Sequence, residues 1–150
     1  VYSELPKLFE RAGRTRHGCI TAIYTILQNP SIESDPLAEE IKSLLDGHIV
    51  MDQDLANEGT RPAIDPLASI SRLSADLHPA ELQTRLRKVV RLMARLRKDR
   101  EIVLLGGTPD EELKQAIDLE PQIRALLHQE KDQKFTFEQS LQALELAEAH

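Results

Sequence analysis

The side chains that could carry chemistry are thinly spread over these 150 residues. The histidines are His17, His48, His78, His128 and His150, and none has a second His or Cys at metal-ligand spacing. Ser69, Ser71 and Cys19 could act as nucleophiles, yet none has a base close by in sequence. The chain contains neither Gly-x-x-x-x-Gly-Lys-Ser/Thr nor Gly-x-Gly-x-x-Gly. Gly106-Gly107, between Leu105 and Thr108, reads as a helix break and not as a phosphate cradle. One segment stands apart: Arg61-Pro-Ala-Ile-Asp-Pro-Leu-Ala-Ser-Ile-Ser-Arg72. Two prolines stiffen it and an arginine closes it. That arginine can pair with an acid such as Asp65, or it can offer a planar, permanently charged fork to phosphate oxygens. The spacing leaves both roles open.

The elements around this segment follow from periodicity and punctuation. Leu5 to Ala12 reads as a short helix stopped by Gly13. Gly18 to Leu27 is apolar and β-branched nearly throughout, which predicts a strand buried on both faces. A polar connection follows from Asn29 to Asp35. Asp35 then caps a helix with Pro36 at its first position, running to about Leu45. His48 to Met51 reads as a further strand, and Asp52 caps a short helix ending near Gly59. Residues 61–72 read as a loop with one helical turn around Ala68.

From His78-Pro79 the character changes. Leu82, Leu86, Val89, Met93 and Leu96 form one apolar stripe on a long helix reaching Leu105. Thr108 is expected to cap a second helix to about Leu119, and Pro121 to open a third with Ile123, Leu126 and Leu127 inward. Thr136 caps a fourth, with Leu141, Leu144 and Leu146 apolar. The layout is α/β up to about residue 77 and a helical bundle from residue 78. Two strands of a buried sheet cannot satisfy their own edges, and the first residue is Val rather than Met; the α/β half is therefore expected to continue upstream.

Composition narrows the functional classes. Aromatic residues make up 3% and Trp is absent, so the core must be aliphatic, which favours helices. The net charge of -6 argues against non-specific nucleic-acid binding. It hides an asymmetry: Arg85 to Arg100 holds eight basic residues and one acid, whereas from Glu101 onward acids outnumber bases eleven to four. The shortage of aromatics favours reading the basic face as one that pairs with the acidic helices after it, not as a nucleic-acid surface. Cys19 is the only cysteine and fits a reducing compartment. No apolar run is long enough for a membrane span, and the start lacks the pattern of a signal peptide.

Several ordered blocks resemble a known family. Val1-Tyr-Ser-Glu-Leu-Pro-Lys-Leu-Phe-Glu-Arg-Ala-Gly13, Gly18-Cys-Ile-Thr-Ala-Ile-Tyr24, Asp35-Pro-Leu-Ala-Glu-Glu-Ile-Lys-Ser-Leu-Leu-Asp-Gly-His-Ile-Val50 and Pro62-Ala-Ile-Asp-Pro-Leu-Ala-Ser-Ile-Ser-Arg72 are similar to the ATPases of bacterial type III secretion and flagellar export. These are relatives of the rotary ATP synthase catalytic subunits. The resemblance is dense to about residue 73 and looser beyond, where Gln115-Ala-Ile-Asp118 and Leu126-Leu-His-Gln129 still fit.

The resemblance implies the C-terminal end of a RecA-like P-loop ATPase domain over residues 1–77, followed by a C-terminal helical domain over 78–150. It implies a cytoplasmic homo-hexamer at the inner face of the bacterial inner membrane, with ATP and Mg2+ in the full-length ring and the phosphate loop upstream of Val1. Such a hydrolase energises protein export by releasing chaperones and unfolding effectors. Its implied partners are stalk and stator proteins and chaperone–effector complexes. The chain alone is expected to be inactive and to hold no cofactor. Arg72 matches the family's arginine finger, reaching the γ-phosphate in the next subunit. Arg61 and Leu126 stand where the family carries aromatics, the first of them against adenine; both depart from the pattern. A non-catalytic adaptor that binds chaperone or stalk is the alternative, as is a rotary synthase subunit.

Overall fold

The computed structural model describes residues 4–28 and 35–148. The chain divides into two compact units, Val1–His48 and Ile49–His150. This cut differs from the one read at residue 77, because the segment after His48 packs on the helices that follow it.

In the first unit, α1 (Leu5–Phe9) leads into an antiparallel hairpin of β1 (Gly13–Thr15) and β2 (Gly18–Ile20), with Arg14 opposite Cys19. Gly13 enters the hairpin at φ +135°, a region open to glycine at little cost. Then α2 (Pro36–Leu44) starts as expected, the Asp35 carboxylate accepting from the Leu37 N–H at 3.0 Å. It buries Ala38 and Ile41. Phe9 and Tyr24 meet edge to face at 4.7 Å. The strand expected over 18–27 is corrected: only Gly18–Ile20 is strand, and Ile23 and Leu27 are 91% and 95% exposed. A doubly buried strand needs cover on both faces, and all three residues of β2 are exposed. The polar connection expected before Asp35 lies outside the described residues.

The second unit begins within β3 (Gly47–Met51), which pairs with β4 (Ile64–Ser71). Between them lies α3 (Gln53–Asn57), capped by Asp52 on the Leu55 N–H at 2.9 Å. Next come α4 (Ser74–Leu77) and three long helices: α5 (Ala80–Leu104), α6 (Glu111–Leu127) and α7 (Phe137–Glu148). The core joins Val89 and Leu92 of α5, Ala116, Leu119 and Ile123 of α6, and Leu144 and Ala147 of α7. The predicted α5 stripe faces this core through Leu82, Leu86, Met93 and Leu96. Gly106, at φ +83°, follows the end of α5.

Three local expectations are corrected here. Residues 61–72 are mainly strand β4, not loop. The cap of α6 is Asp110, accepting from the Leu113 N–H at 2.9 Å, not Thr108. The two helices expected on either side of Pro121 are one, α6, with the exposed proline inside it. An internal proline costs about 3 kcal/mol, and burial of Leu119 and Ile123 on the two sides of it outweighs that. On α7, Leu146 is 68% exposed while its neighbour Ala147 is fully buried.

These placements set a stability contrast. Leu92→Ala should cost about 2–5 kcal/mol, and Leu146→Ala no more than about 0.5 kcal/mol. Urea unfolding followed by far-ultraviolet circular dichroism reads both; equal losses would contradict the packing.

Candidate functional site

The site is built on β4. Asp65 is buried near its start, and Arg97 of α5 forks onto it, Nη1 to Oδ2 at 3.0 Å and Nη2 to Oδ1 at 2.8 Å. The Leu67 N–H also donates to Asp65 Oδ1 at 2.9 Å. The Ser69 hydroxyl donates to the Asp65 carbonyl at 2.6 Å and accepts from the Val50 N–H at 3.0 Å. The strand is thus tied to α5 on one side and to β3 on the other. Arg97 holds the Asp65 carboxyl below its ordinary value, against a smaller opposing effect of burial, and the Leu67 N–H helps. Asp65 in turn raises the Arg97 guanidinium.

The early end of this strand walls a cleft of about 260 Å³. Pro62, Ile64 and Pro66 form one side; Leu126 and Leu127 at the end of α6, with Phe135 beyond, form much of the rest. The Arg61 N–H donates to His128 Nδ1 at 3.4 Å, and the Gln129 N–H donates to the Arg61 carbonyl at 2.6 Å. Of the two positions where the family carries aromatics, Leu126 lines the cleft directly. Arg61 is exposed, its backbone is pinned beside the cleft, and its side chain is not part of the lining.

Arg72 lies just past the far end of β4, exposed. It shares a second, open concavity of about 430 Å³ with Ser71, Ser74, Gln83, Arg87 and Arg91. Asp65, the acid available to it by sequence, is held by Arg97 instead. Extended chain rises about 3.3 Å per residue, so the stretch from Pro66, which lines the first cleft, to Ser71, which lines the second, spans roughly 17 Å of strand.

Four other cations of α5 also meet acids, most of them on or at the cap of the later helices. Arg85 pairs with Glu145 at 2.6 Å, Arg91 with Glu112 at 3.0 Å and Arg100 with Glu120 at 3.1 Å, while Arg95 bridges Asp99 and Asp110. The expected pairing of the basic face with the acidic helices is what the fold contains.

Sequence reading overlooked Arg97, Phe135 and His128. Arg97 carried no signal, being one of eight cations in a row of similar ones. Phe135 carried one: an aromatic amid charged and polar residues of a connecting segment.

Two family models match in tandem. Residues 1–71 match the nucleotide-binding domain of the ATP synthase alpha/beta family, and residues 78–146 match the C-terminal domain of the type III secretion ATPase EscN. The chain belongs to the type III secretion and flagellar export ATPase family. It is 40% identical over 151 residues to the flagellum-specific ATP synthase of Salmonella typhimurium, covering 97% of this chain and 33% of that protein. The assembled ATPase EscN of the enteropathogenic E. coli type III secretion system superposes with a TM-score of 0.91 at 33% identity, over 97% of this chain and 36% of the other. EscN in complex with its central stalk EscO gives 0.86 at 32% identity, over 97% and 35%. The chain spans about a third of the length of the curated relatives it matches. In family terms the first cleft draws one wall from the nucleotide-binding match and the other from the C-terminal-domain match.

The Asp65–Arg97 pair yields a pH signature. Arg97→Ala should cost about 1–2 kcal/mol near neutral pH, a value discounted because the guanidinium is half in water. The folded-state pKa of Asp65 lies below its ordinary value of 3.8, so the pair's contribution is complete above that value. It is lost as pH falls through the depressed folded value. The stability gap between the native chain and Asp65→Asn should therefore close in acid. Urea titrations from neutral pH to well below 3.8 check this; a gap of constant size would exclude the pair as its source.

Proposed function

We propose that this chain works within a longer, ring-forming ATPase that energises protein export. In this reading it closes the base end of its own copy's ATP site and supplies Arg72 to the site of the next copy. The observation that carries it is the placement of the cleft and Arg72 at opposite ends of one anchored strand. One nucleotide in the cleft is poorly placed to meet Arg72 of the same chain. A ring of copies brings the exposed arginine to a neighbour.

The chemistry asked of Arg72 is electrostatic. As the terminal phosphoryl group leaves, charge spreads over its oxygens, and a guanidinium stabilises that charge through paired N–H donors without gaining or losing a proton. Asp65 and Arg97 act on it only by fixing the strand. Leu126 and the prolines pack on the base, and the Arg61 guanidinium can stack at the rim. Among the described residues no three His, Cys, Asp or Glu side chains gather as metal ligands. In this reading magnesium is held with the phosphate-binding residues of the full-length ring.

The nucleotide-binding part ends at about residue 77, and the helical domain begins at 78. Among the described residues no helix is long and apolar enough to cross a membrane. In this reading, attachment to the inner face of the inner membrane runs through other proteins of the apparatus. Those partners are further copies of the chain, a central stalk, stator proteins and chaperone–effector complexes.

Two measurements test the reading. The chain by itself should neither hydrolyse ATP nor bind it at micromolar concentration. In the full-length protein, Arg72→Ala should reduce turnover about a thousandfold or more while leaving ATP binding within about threefold, a difference of ~0.65 kcal/mol. Near-normal turnover would remove Arg72 from this role.

A further inference from the structure

We infer that Gln83 is a positioning residue that fixes the direction in which Arg72 leaves the fold; this rests on the reading of Arg72 as acting on the nucleotide of the next copy. Arg72 follows the last residue of β4. The strand before it is tied down through Asp65, Arg97 and Ser69. Aim also requires the chain after Arg72 to be held, because a misplacement of about 1 Å at a reacting group costs up to about a hundredfold in rate.

The element after Arg72 is weak on its own. Helix α4 is four residues long, and it buries none of them. A lone turn fixes several backbone angles for little hydrogen bonding in return. Its N-cap, Leu73, offers no side-chain cap. Leu73 and Leu77 are 43% and 70% exposed. The Asp76 and Leu77 N–H groups donate to the Leu73 carbonyl at 3.0 and 3.1 Å, and the His78 N–H donates to the Ser74 carbonyl at 3.2 Å. The last carbonyls of a helix have no partner within it. Ala75 carries such a carbonyl, and that of His78 lies just past the end.

Gln83 meets both. Its side-chain Nε2 donates to the Ala75 carbonyl at 2.7 Å and to the His78 carbonyl at 2.8 Å. An amide nitrogen carries two N–H donors, and both are engaged here. The Gln83 backbone N–H donates to the Pro79 carbonyl at 3.0 Å, which sets the residue in the opening turns of α5. Leu82 and Leu86, on either side of it, pack against the aliphatic core. The tie therefore runs from the core through Gln83 to the segment that follows Arg72. Arg72, Ser74, Ala75 and Gln83 line one concavity. Gln83 acts there without touching phosphate: it holds the backbone from which the guanidinium is aimed.

The test uses the full-length protein. Gln83→Met keeps the side-chain length without a donor, and Gln83→Glu keeps the shape but offers only acceptors at neutral pH. Each should lower kcat about tenfold, a difference of ~1.4 kcal/mol, with the Kd for ATP within about twofold. Hydrogen exchange at the Leu77 and His78 amides should quicken while that of β4 stays the same. In an Arg72→Ala background, single-turnover release of labelled phosphate should fall no further when Gln83→Met is added, because both changes act through one guanidinium. A further loss of about tenfold there would overturn positioning through Arg72 and leave the reading of Arg72 intact. Unchanged kcat or unchanged exchange in both Gln83 variants would overturn it in the same way. Near-normal turnover of Arg72→Ala alone would overturn both. Because α4 buries none of its residues, thermal unfolding of the two variants should match that of the unsubstituted protein. A loss of kcat that tracks a lowered melting temperature in both would assign Gln83 to the fold and overturn the proposal.

Discussion

The forked contact between Asp65 and Arg97 is the constraint on which the second unit's functional geometry depends. A carboxylate 8% exposed cannot stay charged without compensation. Arg97 supplies it from 32 residues away, together with the Leu67 N–H. The consequence is mechanical. A proline-bearing segment that could wander as a loop is instead clamped between α5 and β3. Surface ion pairs are usually worth little; this one differs because one partner is buried and the geometry is bidentate.

A clamped strand explains how one short segment can serve two separate places. Its start contributes Pro62, Ile64 and Pro66 to an apolar cleft, and its end delivers Arg72 into an open, arginine-lined concavity. Pro66 fits within β4 because each strand of a two-stranded sheet keeps one edge free of ladder bonds, where a missing N–H costs nothing. The bundle contributes in a different way. Its aliphatic core holds α5, α6 and α7 together, and cross-helix ion pairs such as Arg85–Glu145 and Arg100–Glu120 line its outside. The end of α6 then places Leu126, Leu127 and His128 against the strand.

The strand-bearing segments differ from the bundle in what they leave uncovered. Ile23, Leu27, Ile49 and Met51 are all well exposed, and each is a large apolar residue.

Local chemistry made much of this legible from sequence. Asp35, Asp52 and Thr136 cap the helices that their side chains announce, since a cap needs only a neighbour two or three residues on. The stripe from Leu82 to Leu96 predicted α5 and its buried face, and Gly106 its end, because a helical period is written in consecutive turns. The blocks around residues 35–50 and 62–72 pointed to the family that the comparisons also find. Contacts between distant residues settled the rest. Segment 61–72 became strand because β3 and Arg97 hold it, and Pro121 stays inside α6 because Leu119 and Ile123 are worth more buried than the proline costs. Phe135 joins Leu126 and Pro62 at one cleft only when α6 and the turn after it bring them together. No window of neighbouring residues contains those energies, so they emerge only in the folded chain.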